Sequence, residues 1–224
     1  MSKHLERDLE NLQRDILAMG TAVEEAIDKA TRALQERDAD LAAEVIDGDG
    51  QIDEQENHVD EECLKILALH QPVATDLRRI AAILLINVDL ERMADLAVDI
   101  AERAAELAGP PFIPVPEQLQ RMTDLTILMV KDCLNAFVTL DTHQARRVVR
   151  LDDEVDRLNV AIIGELVQTM RRAPEYIESG LSLFSATRHL ERIADHATNI
   201  AEDVVYLVEG EIIRHRTDPA RDDE

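Results

Sequence analysis

At 224 residues the chain can enclose one substantial core or two small ones. Hydrophobic residues make up 46 % but aromatics only 2 %, with no Trp, so the interior has to be aliphatic, which suits packed helices. Acids outnumber bases 47 to 24 for a net charge of −23; this field repels nucleic acid and anionic lipid head groups, and the aromatics are too few to build a platform on which bases could stack.

From Leu5 to about Arg37, Leu9, Leu12, Ile16, Met19, Val23, Ile27, Ala30 and Leu34 recur at helical spacing and predict a long amphipathic first helix. Asp38 and Asp40 then offer an N-cap and favourable first-turn charge. A second helix is expected from Ala39 to Leu69, stopped by His70-Gln71-Pro72. Its Asp47-Gly48-Asp49-Gly50 stretch suggests a calcium loop at first sight. The sixth position is Ile52 instead of Gly and the twelfth is His58 instead of Glu, which excludes an EF-hand. Gly48 and Gly50 are expected to loosen the helix locally, since each costs about 1 kcal/mol relative to Ala.

A third helix should run from Val73 to Gly109. Four of the seven prolines fall in the next eight residues, Gly109 to Pro116, and predict a stiff extended connector. The plan then repeats: a fourth helix from Glu117 to Leu140, Asp141 capping a fifth that ends at Arg172, Pro174 interrupting, and a sixth from Glu175 to Val208. The expected fold is all-α, two tandem antiparallel three-helix bundles, with units at 1–109 and 117–210, the connector at 110–116 and a mobile polar tail at 211–224.

The duplication is also written in the residues. Leu90 to Glu102 reads LERMADLAVDIAE; one hundred residues later Leu190 to Glu202 reads LERIADHATNIAE, with nine of thirteen positions identical. Glu91, Asp95 and Asp99 stand at i, i+4 and i+8, one stripe of a helix, and so do Glu191, Asp195 and Asn199. Stepping back by sevens from Glu91 meets Leu84 and Leu77, and from Asp95 meets Val88 and Ala81. The second copy gives Phe184 and Ile177, then Arg188 and Leu181. That period places the acids on an aliphatic seam, where the core is expected. A carboxylate removed from water must neutralise, pair or coordinate a metal, and these oxygen donors suit Mg, Mn, Ca or iron. A polar face on a water-filled groove is the competing explanation. Helices two and five add the i, i+4 pairs Asp49/Asp53 and Asp152/Asp156, 103 residues apart, which can face those stripes across a groove and hold more than one ion.

Enzyme signatures are missing: there is no GxSxG, glycine-rich phosphate cradle or HExxH, and no His has Glu three positions before it. The carboxylates could still activate water in a metal-dependent hydrolase, and a metal-free helical scaffold is the third possibility. His196 lies beside the stripe instead of on it and is read as having no role; Arg92 and Arg192 are read as partners of neighbouring acids. Cys63 and Cys133 have no ligand-spaced partner and read as reduced core thiols. No signal peptide opens the chain and the most apolar stretch, Ile80 to Ile86, is too short to span a bilayer, so the protein reads as cytoplasmic with no direct membrane insertion.

The twin acidic-x-x-x-Asp motif, the upstream QPVATDLRRIAAIL that begins at Gln71, and the two-halved helical layout together resemble the PhoU family over nearly the whole chain, from Leu5 to Val208. The resemblance implies two three-helix bundles related by a pseudo-twofold. It also implies divalent or trivalent metal ions, multinuclear iron clusters among them, at the twin motifs. By that analogy Glu91, Asp95 and Asp99 with Asp49 and Asp53 form one site; Glu191, Asp195 and Asn199 with Asp152 and Asp156 form the other. Asp99 stands where the second copy has Asn199, so the two sites need not bind equally. The implied role is not enzymatic. It is negative control of the phosphate-starvation response, linking the ATPase subunit of a phosphate ABC transporter to a sensor histidine kinase, with the protein acting as a homodimer.

Overall fold

The computed structural model describes residues 3–210, so the tail expected at 211–224 lies outside the described residues. Six helices follow in order: α1 (Lys3–Glu36), α2 (Ala39–His70), α3 (Thr75–Glu106), α4 (Gln118–Thr139), α5 (Thr142–Arg172) and α6 (Ile177–Glu209). A 3-10 turn at Pro174–Tyr176 leads into the last.

The helix boundaries are made by local chemistry, and the same boundary is built twice. Arg37 and Leu140 end α1 and α4 in the left-handed region, at φ 59° and 54°. The next residues, Asp38 and Asp141, turn their backbone N–H groups back to the carbonyls of Ala33 and Ala136, both at 3.0 Å. Their carboxylates cap the following helices. Asp38 accepts from the N–H groups of Asp40 and Leu41, and Asp141 from those of His143 and Gln144, at 2.9–3.0 Å. Gln71, at φ 44°, closes α2 by bonding back to Leu67, and Pro72 prevents a further turn.

α2 keeps its expected span, and the expected end of α3 is corrected. α2 runs unbroken through Gly48 and Gly50, because Val45 and Ile52 on either side are buried and tertiary packing outweighs the propensity penalty. α3 stops at Glu106, short of Gly109, where Leu107 folds its N–H onto Arg103 and Ala104. The connector is docked against the helices: Ile113 is buried, its carbonyl accepts from the Arg37 guanidinium at 2.5 Å, and that guanidinium lies 4.7 Å from the centroid of the Phe112 ring.

Each set of three helices packs among itself, and the halves join through α3 against α6 and α1 against α4. α2, α3, α6 and α5 therefore form one layer, with α1 and α4 laid behind it, and the buried aliphatic residues make a single core running through both halves. α3 and α6 lie antiparallel, with Ser182 bonding Glu106 at one end and His196 facing Asp89 towards the other. Among the described residues no helix is long and apolar enough to cross a membrane.

The seam carrying the acids is not the core seam. α3 buries Ile80, Ile83, Ile86, Leu90, Met93, Ala97 and Ile100, and leaves Leu77 and Val88 45 % and 46 % exposed. On α6 Ile177, Leu181 and Phe184 are likewise outside. As central helices, α3 and α6 each touch three neighbours and have a wide buried face. A seven-residue period marks a row without saying which side of the helix its neighbours cover.

Candidate functional site

The acids assemble into one cluster per half, each spanning two helices. In the first half α3 presents Glu91 and Asp95 towards Asp49 and Asp53 of α2. Burial raises the Glu91 carboxyl first, then the Asp95 charge, against the opposing pull of Arg92. Asp49 is raised by burial and then by Asp53 and Asp95. Arg92 lies between the two α3 acids, 3.4 Å from Glu91 and 3.3 Å from Asp95, and supplies part of the missing positive charge.

The second half is tighter. Asp152 is pushed up to about 7 by burial and then by Asp195, Asp156, Asp153 and Glu191. Glu191 is only 9 % exposed and Asp195 sits at the rim; both are raised first by burial, and Asp156 adds to each. Arg188 donates to Glu191 Oε1 at 2.7 Å, one turn earlier than Arg92 stands in the first half. Asp152 Oδ1 and Glu191 Oε2 are buried with no hydrogen-bond partner. Such oxygens are what a cation would satisfy, and the donor set is all oxygen, so these residues fit a hard metal ion. Among the described residues no three of the His, Cys, Asp and Glu side chains converge on one ligand position as they stand. The side chains that would draw in on a cation are Asp49, Asp53, Glu91 and Asp95 in one half and Asp152, Asp156, Glu191 and Asp195 in the other.

Of the other two expected members, one turns away and one stays beside Asp195. Asp99 turns towards α6, where its carboxylate lies 3.6 Å from His189 Nδ1, while His189 Nε2 contacts Ser185 Oγ at 3.0 Å. Asn199 lines an open recess with Asp195, Arg192 and His196. His196, read as having no role, faces Asp89 at 2.8 Å and ties α6 to α3.

Glu56 and Asn159 were missed. Glu56 is raised by burial and then by Asp60 and Asp53, which places it in the first cluster. Asn159, at the matching place on α5, is buried with its Oδ1 unpartnered. Extending the Asp49/Asp53 and Asp152/Asp156 pairs by three residues would have found both. The two cysteines are free and buried, and burial pushes the Cys63 thiol up to about 12, where it is inert.

Comparison with known proteins reproduces the duplication. The family model for the PhoU domain matches twice, over residues 16–104 and 119–204. The chain is 41 % identical over 216 residues to the phosphate-specific transport system accessory protein PhoU homolog of Pseudomonas putida, covering 96 % of this chain and 84 % of that one. It is 42 % identical over 210 residues to the Aquifex aeolicus homolog of the same description, covering 94 % and 95 %. The crystal structure of the phosphate transport system regulatory protein PhoU from Streptococcus pneumoniae superposes with a TM-score of 0.88 at 32 % identity, covering 93 % of this chain and 99 % of that one. With two domain matches, one on each three-helix half, and identity of this order along nearly its whole length, the chain belongs to the PhoU family.

Proposed function

We propose that this protein is a metal-binding regulatory adaptor of phosphate uptake. It represses the phosphate-starvation response from the cytoplasm by linking the ATPase subunit of a phosphate ABC transporter to a sensor histidine kinase. The observation that carries this reading is the duplicated carboxylate cluster, with the unpartnered buried oxygens of Asp152 and Glu191, in a chain whose relatives are named for phosphate transport. A bound cation would offset the crowded negative charge, drawing α2 towards α3 and α5 towards α6, and so set the charge that a partner meets on this layer. The chain's own residues serve to hold that ion: Glu191 and Asp152 from the buried side, Asp156 and Asp195 from the rim.

The test has two arms. Protein purified without chelator should carry stoichiometric metal, and Glu191→Gln with Asp152→Asn should lose the second cluster's share while keeping the first's; metal-free wild-type protein would remove the metal role. Deleting the gene should release alkaline phosphatase under phosphate-replete growth, and unchanged repression would remove the regulatory role.

A further inference from the structure

Leu77, Ala81, Leu84, Val88, Glu91 and Asp95 follow one another along α3 at steps of four and three, the a and d positions of three heptads. This is the row a helix presents when another helix packs along it by knobs into holes, and among the described residues no other helix lies over Leu77, Ala81 and Val88. Leu77 and Val88 are nearly half exposed and Ala81 is exposed, while Leu84 is only partly drawn into the core. Its first four positions are aliphatic. Its last two are carboxylates set among Asp49, Asp53 and Glu56, with Arg92 bridging them.

We propose that this row docks an amphipathic helix from another protein, one with aliphatic residues at successive a and d positions and Lys or Arg where it meets Glu91 and Asp95. The inference rests on the adaptor reading and names the chemistry of its partner. A second copy of this chain is a poor occupant. Side by side in the same direction, the two rows set carboxylate against carboxylate. In opposite directions they bury Glu91 and Asp95 against Leu77 and Ala81, and a net charge of −23 on each copy opposes either approach. The equivalent row on α6, Ile177, Leu181, Phe184, Arg188, Glu191 and Asp195, has the same spacing. There Arg188 stands in the row itself at the fourth position, where α3 has Val88, so the apolar stretch is one residue shorter and a charged side chain lies in the path of a docking helix.

The probe is a fluorescein-labelled helical peptide of about three heptads, with Leu at a and d in two of them and Lys at a and d in the third. It is made in both orders along the chain and titrated with the protein by anisotropy. EDTA is present, because a metal ion and a basic helix are alternative counter-charges for the same acids. One order should bind and weaken with added salt, and a control with Glu in place of Lys should not bind. Val88→Glu, and independently Ala81→Glu, should weaken binding about tenfold; both sites are exposed, so the core is untouched. Leu181→Glu should change it by less than about twofold.

The proposal falls if neither peptide binds, if the Glu control binds as well, or if Leu181→Glu costs as much as Val88→Glu. It also falls if sedimentation finds a wild-type dimer that Val88→Glu dissociates, since the occupant is then a second copy. Repression of alkaline phosphatase by the Val88→Glu protein would overturn this surface and leave the adaptor reading standing; unchanged repression in the deletion strain would overturn that reading instead.

Discussion

Burial and like-charge repulsion act on the same oxygen most strongly at Asp152. Its carboxyl keeps its proton up to about pH 7 in the folded protein, whereas the unfolded chain ionises near the ordinary value of 3.8. Between these values the native state binds more protons than the unfolded one, so without metal this residue makes stability fall as pH rises from about 4 to about 7. Asp152→Asn removes that fall. In EDTA the variant should be more stable than wild type at pH 8, by on the order of 1 kcal/mol once screening at this half-buried carboxyl is allowed for, and equal to it at pH 4. Chemical denaturation at the two pH values measures both quantities, and an equal difference at each would show that the carboxyl is not held protonated. His189 is governed by the same physics with the opposite sign, since burial lowers its affinity for a proton beside Asp99.

Two glycines separate what a helix needs locally from what its neighbours require. Gly20 lies where α1 crosses α4, and a Cβ there would overlap Leu134 Cδ1 in the buried interface. Gly20→Val should therefore cost about 1–3 kcal/mol of unfolding free energy, even though most residues favour helix more than glycine does. Gly50 has nothing within 4 Å of the equivalent position. Gly50→Ala should stabilise by up to about 1 kcal/mol, the full difference in helix propensity. Urea unfolding followed by circular dichroism reads both, and the same sign for the two substitutions would contradict the crossing described. The unbroken course of α2 rests on this distinction: the glycines weaken the helix, and the burial of Val45, Ile52 and Val59 keeps it helical.

For the whole molecule, continuity of the core across α3 and α6 predicts one cooperative unfolding transition. Both tyrosines, Tyr176 and Tyr206, belong to the second half, so tyrosine fluorescence reports that half while far-ultraviolet circular dichroism reports all six helices. The two midpoints should coincide in urea; separated midpoints would mean that the halves fold independently. The six helices, their caps at Asp38 and Asp141 and the duplicated acids were legible in the residues, because helical period, capping chemistry and repeats are local properties of a chain. Glu56 and Asn159 continued a spacing that was already visible. Which row of α3 and α6 is buried was not legible. A period of seven defines a row, and only the placement of α1, α2, α4 and α5 decides that Ile80, Ile83 and Leu90 go inside while Leu77, Val88, Glu91 and Asp95 line the outer face. Asp99 turned from the acidic stripe for the same reason: it lies between two helices, and His189 comes within 3.6 Å of it only because α6 is laid antiparallel to α3.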